Sequence, residues 1–226
     1  MTVTQILNQV YSIYEGSTDY PVAGDEDFDL MLAFLQGGIR QWASEPYNWR
    51  ELYTTLVDAD PDDGAVITVV GQTEYDAPDN FVRPSSFLKV GSSYYAFSNL
   101  DKTTNTKRID TSTPYFTIKG TPGAFKIVLN PTPTEALTIA YDYYREPTIP
   151  TLGTQTPEVP RPLYLAYHTL ARLYEQDNRN DLVSFYESKQ DEQLQLMVVE
   201  NLKKPADHFQ QIPDVGNRLY GSGFGV

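Results

Sequence analysis

The side chains that most often carry chemistry are few or scattered in this sequence. Its two histidines, His168 and His208, lie forty residues apart, and neither has the HExxH or paired spacing that brings two imidazoles to one metal. His168 falls inside a helical pattern running from Tyr164 to Tyr174, where a hydrogen-bonded core histidine or a surface histidine is expected rather than a ligand. There are no cysteines, which excludes thiolate catalysis and disulfides and leaves stability to packing or assembly. The GSGFG of Gly221 to Gly225 lacks the strand–turn–helix setting of a nucleophile elbow or phosphate loop, and it reads as a flexible tail. Thirty acidic residues always allow the two carboxylates a glycosidase needs, so a cell-wall hydrolase stays open as an alternative without being indicated. Seventeen tyrosines keep a carbohydrate-binding β module open as well, since aromatic faces stack on sugars, although many fall where packing explains them. The expectation is no catalytic residue, no cofactor and no metal.

Charge narrows the partners. The formal charge is −13, and residues 1–64 hold twelve acids against only Arg40 and Arg50, a net of −10 that leaves −3 for the rest. Asp25, Glu26, Asp27 and Asp29 cluster where anions favour the start of a helix. Affinity for nucleic acid comes from Lys and Arg neutralising phosphates, so this balance argues against a protein that grips DNA. The acidic face either keeps the surface solvated or repels passing DNA. One basic group, Lys102, Lys107 and Arg108, lies in the polar segment Ser98 to Thr113, which is predicted to project as a loop. No apolar run approaches the ~20 residues of a membrane-spanning helix, and MTVTQILNQV lacks the basic flank and apolar stretch of a secretory signal. A soluble protein made in the cytoplasm, with no membrane partner, is expected.

Periodicity then gives the elements that must carry these residues. Val3, Ile6, Leu7, Val10, Ile13 and Tyr14 predict a helix ending near Gly16, and Phe28, Met31, Leu32, Leu35, Ile39 and Trp42 predict a second. Gly37 and Gly38 interrupt that second pattern at roughly 1 kcal/mol each, which calls for a kink, close approach of another backbone, or an early end to the helix. From Trp49 to Tyr144 short β-rich runs alternate with turns. The predicted strands are Glu51–Val57, Ala65–Val70, Ser86–Val90, Tyr94–Phe97, Tyr115–Lys119, Phe125–Leu129 and Ala136–Tyr144, an antiparallel sandwich or open barrel. Two further helices follow, one through Leu163, Ala166, Tyr167, Leu170, Leu173 and Tyr174 and one over Asp181–Lys203. Seven polar residues, Glu187 to Gln193, split the apolar groups of the last helix, so its middle is expected to be wet or to face a polar partner. The fold class is α+β: a helical part from 1–48 and 159–203, an inserted β domain at 49–146, a Pro-rich connector at 147–158 and an extended arm at 204–226. The arm holds Phe209, Ile212, Leu219, Tyr220 and Phe224 among Pro and Gly, a composition expected to be disordered alone and to order on a partner.

The order of several segments resembles the head-to-tail adaptor (connector, neck or tail-tubular) proteins of tailed bacteriophages. They are an amphipathic N-terminal helix pair carrying Trp42, then GQTEYDAPDNFVRP (Gly71 to Pro84), PYFTIKG (Pro114 to Gly120), LNPTP (Leu129 to Pro133), LTIAYDYYREP (Leu137 to Pro147) and YLAYHTLARLYEQDN (Tyr164 to Asn178), with a long polar helix after them. The resemblance covers roughly residues 1–203 and does not extend to the loop Ser98–Thr113 or the arm. It implies a structural virion protein without a reaction or cofactor, placed at the head–tail junction. There it would form a ring of about twelve copies under the portal, extend the DNA channel, and offer a site to the next tail or nozzle protein. DNA would pass through without specific binding, and it would be the acidic Asp25, Glu26, Asp27 and Asp29 region that faces it or the solvent.

Overall fold

The computed structural model describes residues 1–55, 67–98 and 114–203, which fold into four α-helices and one curled seven-strand sheet that forms a half-barrel. The α+β class therefore holds. The helices are α1 (Val3–Tyr14), α2 (Glu26–Ser44), α3 (Pro162–Gln176) and α4 (Asn180–Lys203). The strands are β1 (Tyr53–Thr55), β2 (Glu74–Asp76), β3 (Phe81–Val90), β4 (Ser93–Phe97), β5 (Tyr115–Lys119), β6 (Lys126–Asn130) and β7 (Ile139–Arg145), in the order β1-β7-β3-β4-β5-β6-β2.

α1 begins with a capping box. The Thr2 hydroxyl accepts from Gln5 N–H while the Gln5 side chain accepts from Thr2 N–H at 2.9 Å. The next two N–H groups, which no helix can satisfy internally, donate at 2.9 Å to carbonyls of the distant connector: Val3 N–H to Gln155 and Thr4 N–H to Gly153. Gly153 is required there, since a Cβ would sit 2.3 Å from the Thr4 hydroxyl oxygen. The connector is tied in turn to the end of β7. Arg145 and Glu158 form a two-pronged pair, 2.7 and 3.2 Å, half sheltered from solvent, and the Thr148 N–H and hydroxyl also donate to the same carboxylate.

α3 is apolar on nearly all sides, and nine of its fifteen residues, from Tyr164 to Tyr174, are buried. Such a helix belongs inside a core. It lies against α1, α2 and α4, and these four elements share one apolar cluster that includes Ile6, Leu7, Leu35, Ile39, Trp42, Trp49, Leu165, Leu170 and Met197. Trp49 fixes the exit from α2, its indole N–H donating to the Trp42 carbonyl at 2.8 Å with the rings 5.3 Å apart. A second cluster lines the inner face of the sheet, with Tyr75, Phe81, Leu88, Tyr95, Phe116, Ile127, Leu129, Ile139, Tyr141 and Tyr143.

Several sequence-based expectations need correction. The sheet is not antiparallel throughout, because β4 and β5 pair in parallel. A parallel pair needs a connection of about a dozen residues or more, which is what the long polar segment between them supplies. The run Ala65–Val70 is not a strand in its described part. Ile67 makes a lone bridge to Thr138, and Thr68 turns its hydroxyl onto Glu135 O and Leu137 N–H while Val69 and Val70 stay exposed. β2 was missed because only Tyr75 of its three residues faces inward. β3 starts five residues earlier than predicted and carries Pro84 at a place where its register with β7 shifts. Glu51–Val57 shrinks to Tyr53–Thr55 among the described residues, because Arg50–Leu52 forms a 3-10 turn.

At Gly37 and Gly38 the helix neither ends nor stops, since α2 continues to Ser44. Gly38 serves close approach. A Cβ on Gly38 would meet His168 Cδ2 at 2.9 Å and Leu165 Cδ2 at 3.2 Å, whereas one on Gly37 meets only His168 Nε2 at 3.7 Å. Gly38→Ala is therefore expected to lower stability by about 1–3 kcal/mol despite its better helix propensity. Gly37→Ala should be neutral or stabilising by up to ~1 kcal/mol. Urea unfolding midpoints of the two variants check the contrast.

Candidate functional site

Asp25, Glu26, Asp27 and Asp29 sit together at the start of α2, and all four are exposed. Asp25 occupies the cap position but turns its carboxylate onto Val22 N–H at 2.8 Å, which closes the preceding turn. The other three stand in the first helical turn, where the helix dipole favours negative charge. None of the four is in an ion pair among the described residues, so their charge is directed at solvent or at whatever passes. The basic group Lys102, Lys107 and Arg108 and the arm residues Phe209, Ile212, Leu219, Tyr220 and Phe224 lie outside the described residues.

The middle of α4, expected to be wet or to meet a partner, faces α3 of the same chain. Gln190 and Gln193 are buried there, Gln190 beside Tyr164 and His168. Arg161, at the start of α3, reaches Gln193 at 3.5 Å and pairs with Glu200 about two turns further along α4. His168 is neither a surface residue nor fully satisfied: it is 5% exposed, and its Nδ1 has no hydrogen-bond partner, nor does the Tyr164 hydroxyl. The Gln190 side chain lies close to both. Burial first, then the positive charge of Arg172, pushes the imidazole down to about 4, with Gln190 opposing. Burial likewise raises the Tyr164 phenol to about 12. From α2, Gly37 and Gly38 approach the ring.

Neither arrangement is a reaction centre. Among the described residues no three His, Asp or Glu side chains converge as metal ligands, and no helix is long and apolar enough to cross a membrane. An open depression of about 290 Å³ is lined by Pro160, Arg161, Pro162, Leu163, Gln193 and Glu200, whose charges face each other. Of the sixteen tyrosines described, only Tyr20 and Tyr94 are exposed, the rest being wholly or partly taken up by packing. What the surface does offer is apolar: Phe185, Leu196, Val199 and Leu202 project from α4, away from the face it packs on α3. Spacing could have found this second stripe, but its residues were read together with the buried ones as interrupted apolar groups.

Comparison with known families decides what kind of protein has such surfaces. The family model for the SU10 adaptor protein matches residues 1–210. The chain belongs to the SU10 adaptor protein family. It is therefore a structural phage protein of the kind that joins head and tail, and its surfaces are to be understood as contacts with other phage proteins. The match takes in all four helices, the whole sheet and the first residues of the arm. No curated protein sequence matches the chain.

The buried imidazole gives a pH signature. A histidine whose folded value lies near 4 instead of 6.5 stays neutral in the fold, while the unfolded chain takes up a proton as pH falls through 6.5. Its share of stability is whole above pH 6.5 and is lost on acidification, reaching about 3 kcal/mol by pH 4. Comparing the stability–pH curves of wild type and His168→Gln, the wild type should fall more steeply between pH 6.5 and 4 by about that amount. Parallel curves would show that the ring is protonated in the fold.

Proposed function

We propose that the chain forms a closed ring of about twelve copies beneath the portal, joining head to tail and continuing the DNA channel. The observation that carries this is the family match over residues 1–210, on a fold whose α2 start presents four exposed acids. In the ring the helical part, residues 1–48 and 159–203, supplies the contacts between neighbouring copies. The β domain, residues 49–146, faces the next tail or nozzle protein, and the connector 147–158 holds the two together. A ring contact is heterologous and closes by rotation, so every contact repeats one pairing of unlike surfaces.

Asp25, Glu26, Asp27 and Asp29 face the lumen in this arrangement, and their charge keeps DNA from adhering as it passes. The loop with Lys102, Lys107 and Arg108 projects toward a protein neighbour. In the particle, the arm with Phe209, Ile212, Leu219, Tyr220 and Phe224 orders against the portal or an adjacent copy. Burying each such side chain contributes roughly 1.5–3 kcal/mol against a backbone cost of about 1–2 kcal/mol per residue. A single arm binds weakly, and repetition around the ring makes weak arms sufficient. No observation favours the hydrolase or the carbohydrate module.

Electron microscopy of the particle tests the proposal. Averaged density should show cyclic copies directly below the portal, with residues 204–226 of each copy laid on the portal or on an adjacent copy. A single copy per particle, or copies placed only at the distal tail, would contradict it.

A further inference from the structure

The two apolar clusters share no residue. That of the helical layer ends at Leu52 on the outgoing chain and resumes at Ile149 on the returning one, while that of the sheet lies between, from Tyr75 to Tyr143. Among the described residues no helix packs along a strand: helices lie on helices, and strands pair with strands. Apolar packing therefore holds each body together without setting the angle between them.

The links that do cross are short and polar. The chain passes from one body to the other between Leu52 and Tyr53, where β1 begins. It returns through residues 147–148. Just before them Glu146 N–H donates to the Asn80 carbonyl at 2.8 Å on the sheet side, and just after them the Pro150 carbonyl accepts from the Gln36 amide of α2 at 2.9 Å. Two arginines of the sheet reinforce these crossings. Arg145, the last residue of β7, grips Glu158 with both ends of its guanidinium, at 2.7 and 3.2 Å, and Arg83 of β3 donates to the Tyr47 carbonyl at 3.0 Å. Glu158 belongs to the helical side, because its neighbour Val159 lies in the helical cluster and the nearby Gly153 and Gln155 carbonyls bind the start of α1. Its carboxylate takes two bonds from Arg145 and two from Thr148, so one side chain gathers the crossing.

We propose that the sheet is hinged on the helical layer at these two crossings and that Glu158 is the latch that fixes its angle. Two bodies with separate cores and a small polar boundary move against each other by default unless something holds them. A hinge needs only a few residues to absorb the change in backbone angles, and residues 52–53 and 146–148 supply them. A fork of two charge-assisted bonds has one working geometry, so it favours one angle over the others. Opening it leaves both apolar clusters intact. The consequence for assembly rests on the proposed ring: a copy whose sheet meets the next tail protein takes up a second angle by exchanging the Glu158 contacts, with neither core unfolding.

The absence of cysteine allows spin labels to be placed in pairs on the full chain. Ala33→Cys on α2 and Ser93→Cys at the start of β4, both exposed, report the distance across the boundary. Ala33→Cys with Ser188→Cys on α4, and Ser93→Cys with Thr121→Cys after β5, are the controls within each body, all at exposed positions. With Glu158 in place, each pair should give one narrow distance. Glu158→Ala should broaden the distribution across the boundary roughly twofold or move its centre, with both controls still narrow, and Arg145→Ala should do the same. An unchanged distribution across the boundary in the Glu158→Ala chain would overturn the latch. Equal broadening of the controls would overturn it too, since Glu158 would then be part of what keeps a core folded. Rings in the particle with an unmoved boundary distance would leave the ring standing and remove the hinge. A released distance in a chain that forms no rings would do the reverse.

Discussion

α3 is buried along most of its length, and the rest of the helical layer follows from that constraint. A helix apolar on nearly all sides must be enclosed, and the elements that enclose it come from both ends of the chain: α1 and α2 before the sheet, α4 after it. The strands between them are therefore obliged to leave and return at nearly one place. Trp49 against Trp42 sets the departure, and the Arg145–Glu158 pair with Gly153 and Gln155 sets the return. Gly38 lies so close to His168 that an added methyl group would meet the ring at 2.9 Å. A buried imidazole with one unbonded nitrogen is tolerated at that point, so the core is well packed but not fully satisfied in its hydrogen bonds.

Much of this was legible in the sequence because it depends on local periodicity. The spacing of Val3, Ile6, Leu7 and Val10 gives α1 to within two residues, and the apolar residues around Leu165 and Leu170 give α3. The paired glycines announced a close approach without saying to what, since that depends on a partner more than a hundred residues away. The sheet was less legible. β2 has one inward side chain, β3 runs through a proline, and the parallel pairing of β4 with β5 depends on a crossover that no short window of sequence encodes. Ile67 to Val70 has strand composition but spends its hydrogen-bonding capacity through the Thr68 side chain.

For the candidate surfaces the division is similar. The acids at the start of α2 could be read directly, because charge at a helix start is local and the structure only adds that all four are exposed. The polar middle of α4 was read as a contact with water or a partner, yet it meets Tyr164 and His168 of the same chain. The error arose from treating one helix in isolation: Gln190 and Gln193 are polar in sequence and buried in the fold. The outer stripe of α4 was hidden for the same reason, since apolar residues on two sides blur into one irregular group.

Native-state hydrogen exchange tests most directly whether enclosure of α3 from both chain ends holds the helical layer together. The amides of α1 and α3 should exchange with the same free energy, both at the global unfolding value, because opening either end exposes α3. Exchange of α1 at a much lower free energy, with α3 still fully protected, would contradict that dependence and show that the N-terminal helix is only an accessory to a core formed without it.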